Sequence, residues 1–328
     1  DGGDQDTIFK TLLHREHQRR ASRRLRRLLG ENIGSGLDRV SILDVEGNLQ
    51  EVTDKQGIER ACHQSNKRKF TQTESTPPMT SPLVENLGYI GTSAPCQAIL
   101  HGTYQPPDAV SSYTKEYLQQ LKAPIITRYQ PSATVTTESY QQLWKRAKEK
   151  TSSGLSKIHF GHMKACSQDK ELADFKADMG HIPYTTGYSP IQWRQSTSVM
   201  LMKKGKGDFV DDLRTIQLMD CDFNGNNKKL GKEVMQCAEA NNLLPKEQYG
   251  SRKNKRAILQ AVNKRLLYDT IQMKRHPAAL LSNDAQSCYD RIVHSIASMA
   301  LQRLGLPPGP VTCMSVSYTH LTLPTMRT

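Results

Sequence analysis

The sequence predicts an α+β fold, on the strength of three patterns. Apolar residues recur at helical spacing between Tyr140 and Ala147, which is typical of an amphipathic helix. Two β-prone runs, residues 196–202 and 213–219, predict a hairpin. A stretch over residues 278–304 has the order of a strand, an acidic turn and a helix.

The composition indicates a polyanionic partner. Of 328 residues, 45 are Lys or Arg and 32 are Asp or Glu, so the net charge is +13. Such a balance favours nucleic acid first and an anionic membrane second. No run approaches the roughly 18 apolar residues of a membrane span, and no signal peptide precedes the first Arg cluster. Seven scattered cysteines without a CxxC pair indicate a reducing compartment. We therefore expect an intracellular protein of the cytoplasm and nucleus, with no membrane partner.

The first 135 residues divide into a basic start and a connecting region. Residues 1–30 have seven Arg between positions 15 and 27 and a partial apolar stripe, which predicts a basic amphipathic helix. It fits a solvated surface helix and a contact with phosphate backbone equally well. Residues 31–135 are poorly periodic and are predicted to be loop-rich. Within them we expect a small hairpin turning at residues 46–48 and a Pro-rich linker over residues 66–82.

A histidine-containing segment follows the helix of the first pattern. In HFGHMKAC, His159, His162 and Cys166 are the types of residue that bind zinc. No fourth ligand stands at zinc spacing, so packing and hydrogen bonding are their expected roles.

Two basic segments are candidate anion-binding elements. In the predicted hairpin, Lys203, Lys204 and Arg214 suit either a flexible, solvated turn or a grip on phosphate. The stretch EQYGSRKNKRA supplies four candidate contacts with nucleic acid: Arg252, Lys253, Lys255 and Arg256.

Two longer helices are predicted on either side of that basic stretch. The first covers residues 226–242 and the second residues 255–274. Their apolar faces are Leu230, Val234, Cys237 and Ala238 in the first, and Ile258, Leu259, Val262, Leu266 and Ile271 in the second.

An apolar run over residues 278–281, predicted to be a buried strand, ends at Asn283 and Asp284. Taken alone, Asp284 suits a helix cap or a turn. A carboxylate at the end of a central strand is also what two-metal nucleotidyl transfer requires, because Mg²⁺ prefers hard oxygen ligands. Asp290, six residues further on, is expected to cap the following helix.

Three motifs, in this order along the chain, resemble those of reverse transcriptases of non-LTR retrotransposons. LRTIQLMDCDFNGNNKKLGK is similar to a fingers motif written Arg-Pro-Ile, with Thr215 in place of the proline. EQYGSRKNKRA resembles the Gln-aromatic-Gly-x-Arg signature that precedes the palm. NDAQSCYDRI resembles the first palm motif, in which an Asp is followed by an aromatic residue and a second Asp, here Asp284, Tyr289 and Asp290. The resemblance covers roughly residues 130–314.

The resemblance implies a partial right-hand polymerase fold and an RNA-directed DNA polymerase as the parent protein. Residues 136–277 would be fingers and residues 278–314 the start of the palm. The parent would extend a DNA primer with deoxynucleoside triphosphates on an RNA template, using two Mg²⁺ ions.

The resemblance also implies a role for individual residues. Asp284 would bind both Mg²⁺ ions as the catalytic carboxylate. Arg214 would pair with the triphosphate, beside Lys203 or Lys204. Tyr289 would lie beneath the incoming sugar and disfavour a 2′-hydroxyl. Backbone N–H groups of the intervening turn would face the triphosphate, from Ala285, Gln286, Ser287 and Cys288.

The end of the sequence departs from the family pattern. No acid follows Asp290, whereas the family carries further catalytic acids on a later aromatic-x-Asp-Asp hairpin. The string VSYTHLTLPT resembles the read-through of a sequencing adapter, so residues 315–328 are predicted to be non-native. Since the chain also starts without Met, we expect an internal fragment that is inactive by itself.

Two other functions remain open. One is a non-catalytic nucleic-acid-binding module or a decayed element, which the charge of +13 would suit. The other is an RNA-templated RNA polymerase, against which Tyr289 argues, because a bulky ring at that position would clash with a ribose.

Overall fold

The computed structural model describes residues 37–149, 151, 154–203, 205–279, 281–285 and 287–322. The predicted helix of residues 1–30 lies outside these ranges, as do Lys204, Leu280 and Gln286. The described part is mixed helix and strand, which confirms the α+β prediction.

The described helices are α1 (Lys55–Phe70), α2 (Leu83–Leu87), α3 (Ala94–His101), α4 (Ser112–Gln120), α5 (Thr137–Lys145), α6 (Phe160–Cys166), α7 (Lys170–Thr186), α8 (Cys221–Ala240), α9 (Ala257–Lys274), α10 (His294–Arg303) and α11 (Pro308–Thr322). The strands are β1 (Val40–Leu43), β2 (Leu49–Val52), β3 (Thr197–Leu201) and β4 (Arg214–Leu218). Short 3₁₀ turns lie at Pro77–Met79, Ile191–Arg194, Val210–Asp212 and Cys288–Arg291.

The chain divides into two compact units. The first comprises Asp1–Cys62 and Met202–Leu213, and the second comprises His63–Leu201 and Arg214–Thr328. The candidate metal ligand Asp284 belongs to the second unit, whereas Lys203 belongs to the first.

The first unit contains the hairpin β1–β2, in which the two strands pair antiparallel. Asp44 Oδ1 accepts the backbone N–H groups of Glu46 at 2.9 Å and Asn48 at 2.8 Å. Gly47 has a φ of +85°, which a residue without a side chain adopts at little steric cost. The predicted hairpin and its turn are confirmed.

The loop between β3 and β4 is anchored within the first unit. Asp208 accepts a hydrogen bond from the Ser41 hydroxyl at 2.8 Å, and its other carboxylate oxygen lies 3.0 Å from Arg39 Nε. The Ser41 N–H also donates to the Asp208 carbonyl at 3.0 Å. The acidic part of the loop is therefore held in place, while residues 205–207 at its basic tip are exposed, as expected of a solvated turn. The flexibility of the tip stays a prediction.

One apolar core of the second unit is built from α2, α3, α4 and α10. Its buried members are Leu83, Leu87, Cys96, Ile99, Leu100, Val110, Leu118, Leu121 and Met299. The loop-rich prediction is therefore wrong for much of residues 31–135. Helices α2, α3 and α4 have five to nine residues, too few turns for an apolar period to stand out, and the caps Ser93 and Ser111 were the remaining local signal. Helix α1, also in this region, has 16 residues but few apolar ones.

The larger core of the second unit gathers α5, α6, α7, α8 and α11. Thr136 caps α5 in a capping box with Ser139. Trp144 packs edge-on against Phe160 at 5.5 Å between ring centroids. The second tryptophan, Trp193, lies in the same core and is 3% exposed. The predicted amphipathic helix around Tyr140 to Ala147 is thus confirmed, although it ends at Lys145.

The hairpin predicted from the β-prone runs is also confirmed. β3 pairs antiparallel with β4, with Val199 opposite Ile216. Both strands are about one residue shorter at each end than the predicted runs.

The buried strand predicted at residues 278–281 is wrong. Residues 277–279 and 281 have no regular structure, and Leu281 is 97% exposed. A strand must exchange backbone hydrogen bonds with a neighbouring strand. Within the described residues each sheet has two strands, β1–β2 and β3–β4, and residues 278, 279 and 281 belong to neither. The helix expected after the acidic turn does form, as α10.

Residues 315–322, which did not fit the pattern of the sequence, continue α11. Ser317 shares a hydrogen bond of 2.8 Å with Ser189, and the Tyr318 ring lies 5.7 Å from that of Phe223. This packing shows that the segment can extend a helix. Its assignment as adapter read-through concerns the origin of the codons and stays a prediction.

Candidate functional site

The segment around Asp284 is open to solvent. Asp284 is exposed and, within the described residues, has no hydrogen-bond or ion-pair partner. Ala285, Ser287 and Cys288 are exposed as well, and the Tyr289 side chain is 89% exposed. An unpaired carboxylate keeps all its lone pairs available, so Asp284 is free to act as an oxygen ligand.

The turn after Asp284 is held at its far end. Ser287 has a left-handed φ of +51°, and its carbonyl accepts the Asp290 N–H at 3.0 Å. Arg291 Nε donates to Gln72 Oε1 at 2.8 Å. Asp290 does not cap α10, because the cap residue is Val293 and no side chain bonds there. Asp290 lies instead in the 3₁₀ turn, which separates it from the helix.

A two-ion metal centre is not assembled by the described residues. Asp284 offers one hard oxygen ligand of the kind Mg²⁺ prefers. No group of three or more His, Cys, Asp and Glu side chains in the described ranges could hold a metal ion. The sequence has no acid after Asp290. The residues present therefore fit one ligand of such a centre, and do not fit the complete centre.

The hairpin β3–β4 presents Arg214 at the end where the connecting loop joins the two strands, opposite Leu201. Arg214 is the first residue of β4, is exposed and has no ion-pair partner within the described residues. The following Thr215 stands where the family motif has proline, and its hydroxyl donates to Asn66 Oδ1 at 2.6 Å. The departure from the motif thus supplies a side-chain bond that proline cannot make. Lys203 is described in the first unit, while Lys204 lies outside the described residues.

The basic loop between α8 and α9 is organised around Arg252. Its guanidinium makes two bonds of 2.7 Å with the Glu239 carboxylate and donates to the carbonyls of Pro245 at 2.7 Å and Gln248 at 3.2 Å. Hydrogen bonding to Arg252 lowers the pKa of Glu239. With these four bonds made internally, Arg252 acts as an anchor of the loop, a role that its position in a run of cations does not reveal.

The other cations of this loop face outward. Lys253 and Arg256 are exposed, and Lys255 Nζ lies 4.9 Å from the centre of the Tyr249 ring. The Tyr249 hydroxyl accepts a hydrogen bond of 2.9 Å from Asn263 in α9. The loop therefore presents three cations and an aromatic ring, a combination suited to nucleic acid.

Helix α9 forms as predicted, but none of its 18 residues is buried. Its exposed apolar side chains include Ile258, Leu259, Val262, Leu266, Leu267, Tyr268 and Met273. From Arg252 to Arg275 the chain has eight Lys or Arg and a single Asp. The predicted apolar face is thus part of a basic and apolar surface in the described part of the chain.

The histidine segment serves a local structural purpose. His162 Nδ1 accepts the backbone N–H of His159 at 2.9 Å, at the start of α6. This bond satisfies one of the N–H groups near the helix start.

No family model matches the chain, and no curated protein does so either. Within the described residues, no helix combines the length and the apolar character needed to cross a membrane.

Proposed function

We propose that the chain is part of an RNA-directed DNA polymerase of the non-LTR retrotransposon type. It would comprise fingers and the first segment of a right-hand polymerase palm. The substrates would be an RNA template, a DNA primer and deoxynucleoside triphosphates, with two Mg²⁺ ions in the complete enzyme.

The observation that carries this proposal is the spacing of Asp284, Tyr289 and Asp290 behind two fingers motifs in the right order. Each motif alone is modest evidence. Their order supports the proposal, as does the exposed Arg214 at the end of a hairpin. An unpaired Asp284 is compatible with a ligand role and gives no support to a helix cap.

The described residues would contribute charge and positioning. Arg214 would pair with the triphosphate, because a guanidinium binds phosphate oxygens in a bidentate manner. Asp284 would be the residue of this chain that holds the metal ions, and bound ions would supply charge stabilisation for phosphoryl transfer. Tyr289, with its free ring, would close the sugar site from below.

The chain itself is expected to be inactive, since a single carboxylate supplies too few ligands for a centre of two ions. Primer extension with the purified chain on an RNA template should give no Mg²⁺-dependent product. Synthesis that disappears with Asp284→Ala would contradict this expectation.

The proposal is tested on the extended reading frame. The DNA that continues this reading frame is amplified from the source material, outward from the codon of Asp284. It is sequenced without a transposase-based library, so that no adapter sequence is introduced. The extended protein should carry an aromatic-x-Asp-Asp hairpin and extend a primer. Asp284→Ala should abolish extension, and Asp269→Ala, which removes a partly exposed acid of α9 that pairs with Arg265, should leave it intact. A frame without those acids, or activity that survives Asp284→Ala, would refute the proposal.

A non-catalytic nucleic-acid-binding module is the second candidate. The net charge of +13 and the exposed cations of the loop between α8 and α9 favour it. This second candidate predicts that the protein binds nucleic acid and that its extended reading frame lacks the Asp-Asp pair of the aromatic-x-Asp-Asp hairpin.

A further inference from the structure

A cleft of about 200 Å³ lies among α5, α6 and α8, away from the Asp284 segment in sequence. Three cations line it: Arg146 and Lys148 just after α5, and Lys228 in α8. None of the described residues that line it is an Asp or a Glu. The cleft is therefore a concentrated site of positive charge on an already basic protein.

The floor of the cleft is apolar. Trp144 and Phe160 form it, packed edge to face at 5.5 Å. Gly225 of α8 also lines the cleft, and a Cβ at this glycine would lie 2.5 Å from Trp144 Cζ2. The glycine thus lets α8 approach the ring closely. A low-dielectric floor of this kind strengthens the attraction between the cations and an anion.

The three cations are available to a ligand. Within the described residues, Arg146, Lys148 and Lys228 have no ion-pair partner. The adjacent acid, Glu149, is bound to Lys164 at 2.8 Å, and this bond lowers the pKa of Glu149. The nearest carboxylate in sequence is therefore neutralised elsewhere, and the positive charge of the cleft is unopposed.

We propose that this cleft binds the phosphodiester backbone of a single-stranded nucleic acid. Three unpaired cations over an apolar floor suit a backbone with its phosphates toward the charges. The inference deepens the proposed function and rests on it only for biological context, because a template-directed enzyme must hold a strand. Binding of the strand in the cleft would not require Asp284 or any other catalytic group.

The first test compares two triple variants of the full chain. R146Q/K148Q/K228Q removes the cations of the cleft. K145Q/K170Q/K232Q removes the same charge from exposed lysines of α5, α7 and α8 that do not line it. Circular dichroism and the thermal midpoint establish that both variants fold.

Binding to a fluorescent single-stranded RNA is then followed by anisotropy at several salt concentrations. Each phosphate contact on a single strand contributes about 0.7 to the slope of log K against log salt. Because three contacts are removed, the magnitude of this slope should fall by about 2 in the cleft variant. In the control variant it should fall by only a small part of that amount. Equal losses in the two variants would overturn the proposal, because they would show a diffuse effect of net charge.

Lysine footprinting distinguishes a strand from a small phosphate ligand. RNA should protect Lys148 and Lys228 from acylation and leave Lys145 and Lys232 reactive. Protection by inorganic phosphate or a mononucleotide, without protection by RNA, would overturn the proposal in favour of a small-molecule site. Failure here and failure of the proposed function are separate outcomes, because RNA binding by the cleft is unaffected by Asp284→Ala.

Discussion

Helices α8 and α9 are similar in length, with 20 and 18 residues, and the same apolar periodicity predicted both. Nine residues of α8 are buried, whereas α9 buries none. α8 also holds polar partners: Lys229 Nζ donates to the Ser132 carbonyl at 2.8 Å, and Glu233 accepts from the Tyr129 hydroxyl at 2.6 Å. Periodicity therefore predicts that a helix forms and which face is apolar, but it does not predict what covers that face.

Two acids that follow apolar runs, Asp220 and Asp284, show the same contrast between a buried and an exposed position. Asp220 follows β4, is 4% exposed and accepts hydrogen bonds from the backbone and hydroxyl of Ser156 at 3.3 and 2.8 Å. Asp284 follows a run that forms no strand, and it is exposed. Of these two acids, the one that follows a paired strand is a buried structural anchor, and the one that follows an unpaired run is exposed to solvent.

The largest expected effect tests the difference in burial between α8 and α9, by truncating one apolar side chain in each helix. Phe223 of α8 is fully buried between Trp193 and Tyr318, so Phe223→Ala should cost about 3–5 kcal/mol. Leu266 of α9 is 59% exposed, and Leu266→Ala should change the free energy of unfolding by less than about 0.5 kcal/mol. Urea unfolding measures both. A large loss with Leu266→Ala would show that α9 is covered in solution.

A smaller effect is expected from two glycines within α8. At Gly225 a Cβ would meet the Trp144 ring, so Gly225→Ala should destabilise by about 1–3 kcal/mol through overpacking. At Gly231 nothing lies within 4 Å of an added Cβ, and Gly231→Ala should stabilise the helix by roughly 0.5–1 kcal/mol. Thermal unfolding of the two variants gives the sign of each change, and a stabilising Gly225→Ala would contradict the close approach of α8 to Trp144.

The smallest effect concerns the loop that joins the two helices. Arg252 lowers the pKa of Glu239 in the folded state, so the bond adds stability above the ordinary Glu pKa of about 4.3. This contribution is lost as the pH falls through the lowered pKa. Glu239→Gln should therefore be less stable than the wild type at neutral pH, with a difference that shrinks on acidification.

Glu247→Gln is the matched control for that variant, because Glu247 is an exposed acid of the same loop with no partner within the described residues. Chemical unfolding at a series of pH values compares the three proteins. A pH-independent difference between Glu239→Gln and wild type would show that the carboxylate charge is not what holds the loop.

Strong local patterns allowed part of this fold to be predicted. The turn at Asp44 to Asn48, the hairpin β3–β4 and the buried face of α8 all follow from short-range signals of turn chemistry and periodicity. Helices α2 to α4 escaped because each is too short to show a period.

The candidate site depended on information that lies outside local sequence. The pairing of Arg252 with Glu239 joins residues 13 positions apart, and nothing in a run of four cations indicates which one turns inward. The strand predicted at residues 278–281 failed for the opposite reason, since its apolar character was real but a strand requires a partner. The roles of Asp284 and Tyr289 come from motif resemblance and stay predictions.

The placement of the aromatic residues in the two units decides which spectroscopic signals each unit can give. Both tryptophans, Trp144 and Trp193, and all 12 tyrosines belong to the second unit. The first unit has phenylalanine as its only aromatic residue type. Intrinsic Trp and Tyr fluorescence during unfolding therefore reports on the second unit alone. A single unfolding transition in this fluorescence would not show whether the hairpin β1–β2 had unfolded. Amide-resolved hydrogen exchange would give the first unit a signal of its own.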